Sequence, residues 1–177
     1  LSALAQAETL LSSKAGAVGA NTFTIDAVKA LKARVLLTKG DYAEAYTIAS
    51  ALVASGKYPL VTTQADLANT FHKDGKAETL LQLFVASDEL SPNGDSYLGY
   101  IENKNAYRAD FIPTKWVLDL YESNDIRKGA YFLTTTVIYS SGTYTATLVN
   151  KYPRGLYAAT SYAHAPKVFR IAEQYLI

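Results

Sequence analysis

The chain has 177 residues, 49% of them hydrophobic and 19% charged, with a formal net charge of +1. That balance describes a globular chain large enough for a real core, and basic residues never run beyond two in succession, which excludes the electrostatic footprint of a nucleic-acid binder. No apolar run approaches the roughly 20 residues of a membrane-spanning helix, and the absence of cysteine excludes disulfides, thiol nucleophiles and thiolate metal sites.

In chain order, residues 1–13 carry Leu4, Ala7, Leu10 and Leu11 at helical spacing and predict a first helix. Residues 24–39 and 41–55 then predict an antiparallel helical pair. Ala30, Ala33 and Leu37, flanked by Leu31 and Val35, form the apolar stripe of its first member. Tyr42, Ala45, Ala49, Leu52 and Val53 form that of the second. Gly40 is placed to end the first helix in a left-handed conformation, and Asp41 with Glu44 reads as a capping box opening the second. Gly56 and Pro59 stop it. Ala45 and Ala49 are expected at the contact, because small side chains let two helix axes approach closely. This is the packing logic of a tetratricopeptide-type hairpin, although the period of about 34 residues does not recur after Leu60.

Residues 71–76 read as a loop, and residues 78–86 as a short apolar run that is either a buried strand or a helical turn. Few periodic apolar positions fall in residues 87–108, so a long loop holding Tyr97, Tyr100 and Tyr107 is expected there. Pro113 and Thr114 open a third helix, whose predicted buried stripe pairs Trp116 with Leu120 and Val117 with Tyr121. Residues 131–139 and 143–149 are rich in β-branched residues and tyrosine around Ser140-Ser-Gly142, and predict a β-hairpin. In it Tyr139 and Tyr144 are expected to form a cross-strand pair. Residues 156–166 read as another tyrosine-bearing loop, and residues 168–177 as the entry to a further helix. The fold class that follows is mainly α, an α-α superhelix-like arrangement with one small β-hairpin and long loops. The chain lacks an initiator Met and closes on an apolar run. It is therefore expected to be one fragment of a larger domain: helical over 1–60, mixed over 61–165, and entering a further helix over 166–177.

Candidate chemistry is sparse. His72 and His164, the two histidines, have no second ligand at metal-binding spacing and read as surface or loop residues. Asp119, Glu122 and Asp125 could suggest a glycosidase carboxylate pair, but Asp125 with Arg127 reads better as a helix-end ion pair. Arg170 and Glu173 stand at intrahelical salt-bridge spacing. There is no phosphate loop and no nucleophile elbow, so neither catalysis nor a cofactor is expected. Tyrosine is the outlier, at 14 residues. Its flat apolar face and hydroxyl suit cores, interfaces and sugar platforms alike. Loops carry binding residues, so Tyr97, Tyr100 and Tyr157 are the first candidates for ligand contact, with Tyr107 and Tyr162 beside them. Trp116, at helical spacing from Leu120, is expected to pack inside.

Several segments occur in a specific order: Ala30-Leu-Lys-Ala-Arg-Val-Leu-Leu37, Gly40-Asp-Tyr-Ala-Glu-Ala45, Ser55-Gly-Lys-Tyr-Pro-Leu60, Glu78-Thr-Leu-Leu-Gln82, Val117-Leu-Asp-Leu-Tyr-Glu-Ser-Asn-Asp-Ile-Arg127, Lys151-Tyr152 and Phe169-Arg-Ile-Ala-Glu-Gln-Tyr-Leu176. Together they resemble the central part of the SusD/RagB family of glycan-binding outer-membrane lipoproteins, over nearly the whole chain. The resemblance implies a non-enzymatic, surface-exposed subunit that passes oligosaccharides to a TonB-dependent outer-membrane transporter. The family's lipidated cysteine and its first helical pair do not occur in this chain. Two other readings stand beside it: a helical-repeat adaptor for a protein or peptide, and a fragment of a glycoside hydrolase.

Overall fold

A helix whose buried stripe is alanine can lie close against a second one, and Ala30 and Ala33 supply that stripe with Ala45 and Ala49 opposite. The computed structural model describes residues 1–84, 99–101, 106–109, 111–152 and 165–177. In it α1 (Ser2–Leu10) precedes the pair α2 (Ile25–Lys39) and α3 (Tyr42–Ala54). All four alanines are buried. The Thr24 hydroxyl accepts from the Ala27 amide at 3.3 Å and caps α2. Gly40 ends it at φ 91°, with the Asp41 amide donating to the Leu36 carbonyl at 2.9 Å. That bond belongs to a left-handed helix terminus, which glycine adopts without a Cβ penalty.

The chain divides into two units, Leu1–Val61 with Asp74–Phe84 and Pro166–Ile177, and Thr62–Lys73 with Val85–Ala165. In the first, β1 (Thr79–Gln82) pairs antiparallel with β6 (Lys167–Arg170), which runs into the short α7 (Ile171–Gln174). The core joins Ala27, Ala30, Leu52, Tyr58, Leu80, Leu81, Phe169 and Ile171. At Gly19 a Cβ would stand 2.3 Å from the Cα of Gly75, so these two backbones approach as only glycine allows.

The second unit holds α4 (Gln64–His72), α5 (Lys115–Asp119) and α6 (Ile126–Tyr131), and a sheet of β2 (Gly99–Ile101), β3 (Ala106–Arg108), β4 (Phe132–Tyr139) and β5 (Gly142–Val149). The predicted hairpin is β4–β5, turning at Ser140-Ser-Gly142, with Thr134 facing Thr147 and their hydroxyls 2.9 Å apart. Ala109, Val137 and Leu148 form its core, with Tyr107, Tyr139 and Ala146 packed on them. The mainly helical architecture with a tetratricopeptide-like hairpin and a β-hairpin is thus the one observed.

Several local expectations are corrected. The register of α2 buries Leu36 and exposes Leu37, and Tyr42 of α3 is exposed. Asp41 makes no cap bond: its carboxylate takes the Lys39 ammonium at 2.5 Å, while Glu44 lies 3.4 Å from Lys32. No residue of α1 is buried, and Leu10 faces solvent. Phe71 and His72 close α4 rather than opening a loop; the signal was Thr63, whose hydroxyl accepts from the Asp66 amide at 3.1 Å. Within residues 87–108 the described parts are strands β2 and β3, not loop. The run after Glu78 is a strand, buried on both faces. Residues 167–170 are also a strand, because β1 offers them an edge to pair with. Tyr139 and Tyr144 are diagonal, not directly opposed: Val137 faces Tyr144, and the two rings lie 6.3 Å apart. Arg170 and Glu173 do not pair with each other. Arg170 bonds Glu78, and Glu173 takes Arg34 at 2.5 and 2.6 Å.

Candidate functional site

The tyrosines divide by what holds them. Tyr58 donates to the buried Asp26 carboxylate at 3.0 Å, and Lys57 reaches the same oxygen at 3.0 Å. Burial, then the charge and hydrogen bond of Asp26, push the Tyr58 phenol well above its ordinary pKa. Tyr139 donates to the Ala109 carbonyl at 2.7 Å. Tyr131 and Tyr152 meet Phe71 edge-on, at 5.5 and 6.1 Å, with the Lys151 ammonium 4.3 Å from the Phe71 ring centre. His72 Nε2 lies 2.8 Å from the Asn150 carbonyl, which ties α4 to the end of β5. These are structural uses of tyrosine and histidine.

Of the predicted ligand residues, Tyr97 and Tyr157 lie outside the described residues, as do Tyr162 and His164. The backbone of Tyr100 stands in β2 opposite Tyr107 of β3. Its side chain lies outside what is described, and Tyr107 is half-buried against the sheet core.

One surface that the described residues offer is built from side chains whose helical spacing had placed them in the core. Pro113 and the Ser-Asn-Asp turn at 123–125 confine α5 to Lys115–Asp119, with no buried residue in it. Lys115 and Asp119 pair along it at 2.6 Å. Trp116 is 66% exposed and Leu120 70%. Four residues apart, they share one face. A helix of under two turns does not oblige its apolar positions to face inward, and that brevity was the signal available in the sequence. Phe111 and Ile112, just before it, are also exposed.

Leu120 further lines a cleft of about 500 Å³ together with Glu122, Asn124, Asp125, Ile126 and Arg127. Asp125 caps α6, accepting from the Arg127 amide at 2.9 Å, and its carboxylate takes the guanidinium at 2.6–3.0 Å. The Arg127 guanidinium, hydrogen-bonded to Asp125, holds that carboxyl below the usual range, and Asp125 raises the arginine in turn. Arg127 also lies 5.5 Å above the Tyr121 ring, and Tyr121 meets Phe132 edge-on at 5.3 Å. The expected Asp125–Arg127 pair is therefore present, and it opens α6. A glycosidase acid needs a raised pKa; Asp125 is shifted the other way, and Asp119 is occupied by Lys115. Among the described residues, no group of three acidic or histidine side chains could hold a metal, and no helix is long and apolar enough to cross a membrane.

No family model matches the sequence, and no curated protein matches it. Solved structures do. A SusD-like carbohydrate binding protein from Bacteroides vulgatus superimposes with a TM-score of 0.70 at 18% identity, over 98% of this chain and 36% of its own. A SusD-like protein from Bacteroides fragilis gives 0.70 at 19% identity, over 98% and 46%. Surface glycan-binding protein A from Bacteroides fluxus gives 0.67 at 18% identity, over 98% and 44%. The chain thus spans less than half the length of these structures. The SusD-type likeness expected from the ordered motifs is borne out as a shared fold.

Proposed function

We propose that this chain is part of a glycan-binding subunit of an outer-membrane nutrient-uptake system, acting by binding and not by turnover. One observation carries the reading: nearly the whole chain shares its fold with proteins described as binding carbohydrate or surface glycan. An oligosaccharide is the ligand, and a TonB-dependent transporter in the outer membrane is the partner to which it passes. The surface lipoprotein location follows from the same reading. The helical-repeat adaptor has less support, since α2–α3 is followed by one nine-residue helix and then by strands.

Ligand contact is assigned to the faces of Tyr97, Tyr100 and Tyr157. Sugar hydroxyls lose water on binding and the apolar faces they leave are shallow, so affinity is weak. The experiment replaces the three tyrosines by alanine and measures retardation in gels containing starch, xylan, mixed-linkage glucan, mannan or pectin. A parent retarded by one of these, with a triple variant that migrates freely, supports both ligand and residues. Equal retardation of the two removes the residues and keeps the ligand. Release of reducing ends from any of the polysaccharides above a buffer blank would overturn the non-enzymatic reading.

A further inference from the structure

We infer that the exposed face of α5 and the cleft beyond it form a carbohydrate contact of their own, separate from the three loop tyrosines. The inference rests on the glycan-binding reading and names where else on the chain the ligand is held. Trp116 supplies a platform for one sugar ring. The cleft from Leu120 to Arg127 receives the hydroxyls of the next.

Four observations meet at this place. An indole is among the largest apolar groups a protein owns and is highly buried on average, so one at 66% exposure stands out. Trp116 stands one helical turn before Leu120, and Leu120 is itself a wall of the cleft. The cleft, at about 500 Å³, falls in the range of small-molecule sites. Its polar groups fall into two kinds. Arg127 is held rigid by Asp125 through its Nε and Nη2 and by packing over Tyr121. Glu122 and Asn124 are exposed, and their side chains make no hydrogen bond among the described residues. The arrangement therefore offers oriented donors, open acceptors and an amide that does both.

The chemistry selects a sugar over other ligands. A pyranose presents an apolar C–H face and a rim of hydroxyls that donate and accept, and here an exposed indole stands one helical turn from a cleft lined by an arginine, a carboxylate and an amide. A strongly charged ligand would find the Asp125 and Arg127 charges already spent on each other.

Trp116 is the single tryptophan of the chain, so the site carries its own reporter. The parent, W116A, W116F and N124A are run in gels containing each of the five polysaccharides above, and parent-minus-W116F emission is recorded with and without the retarding one. The expectation is a loss of about two- to tenfold in affinity for W116A, the range of one aromatic contact, a smaller loss for W116F and a blue shift of the Trp116 emission. Circular dichroism of W116A matching the parent shows the loss to be local. A parent that is retarded, with W116A retarded equally and emission unmoved, overturns this contact and leaves the glycan reading in place. A parent that none of the five retards overturns both.

Discussion

The two units use their charged side chains differently. In the helical unit, the local Lys39–Asp41 pair aside, ion pairs join residues far apart in sequence: Lys32 to Glu8, Lys57 to Asp26, Lys167 to Asp74, Arg170 to Glu78 and Arg34 to Glu173. Arg34 also donates to the Val168 carbonyl at 3.2 Å and lies 4.5 Å over the Phe169 ring. In the sheet-bearing unit the described pairs are local, Lys115 with Asp119 and Arg127 with Asp125. The first pattern fastens distant segments together. The second shapes short helices, of which α5 leaves its apolar face open.

The contrast is broken most directly by cutting one leucine in each unit. Leu36 is fully buried and Leu120 is 70% exposed. Leu36→Ala should lose about 2–5 kcal/mol by urea unfolding, the ordinary range for a buried leucine. Leu120→Ala should stay within about 0.5 kcal/mol, as surface changes do. Equal losses would mean that α5 packs as part of a core after all.

A smaller effect is expected at the helix contact. Ala49→Leu overpacks a fully buried position and should cost about 1–3 kcal/mol, read as a lower urea midpoint. An unchanged midpoint would show that α2 and α3 can separate without penalty, and the alanine argument would fail.

The smallest effect sharpens the comparison through pH. The Tyr58 phenol is raised in the folded chain above the unfolded value of about 10, so the native state holds its proton longer. Its contribution to stability is complete below pH about 10 and is lost as pH rises from there towards the raised folded value. Urea midpoints measured from pH 8 to about pH 11 should fall more steeply for the parent than for Tyr58→Phe. Lys32, raised chiefly by its hydrogen bond to Glu8, shifts in the same sense in both proteins, so the difference isolates Tyr58. Parallel curves would dismiss the Asp26–Tyr58 contact as a source of stability.

Much of the helical unit was legible locally. A glycine terminus and alanines at spacings of three and four are nearest-neighbour signals, and α2 and α3 stand within a residue or so of their predicted bounds, although the Asp41 cap read from the same stretch does not form. The β4–β5 hairpin was legible for the same reason, as β-branched runs around a glycine turn. Asp125 and Arg127, two residues apart, announced their own pairing. The choice between Leu36 and Leu37 was not legible, since two adjacent leucines fit the helical period almost equally well and the neighbouring elements decide which turns inward. Nor was β6, whose last residue opens an Arg-x-x-Glu spacing that suits a helix.

By itself the sequence determined the turn glycines, the alanine contact, the β-hairpin and the order of segments that resembles SusD/RagB proteins. These rest on interactions within a few residues, so they travel with the sequence. Tertiary structure alone decided that residues 167–170 pair with β1, that Glu78 rather than Glu173 receives Arg170, and that Trp116 and Leu120 face outward. A strand forms where another strand offers unpaired amides and carbonyls, and a charge settles on whichever opposite charge the fold brings close. An apolar face is exposed or buried according to what packs on it, and no spacing within five residues of helix can state that.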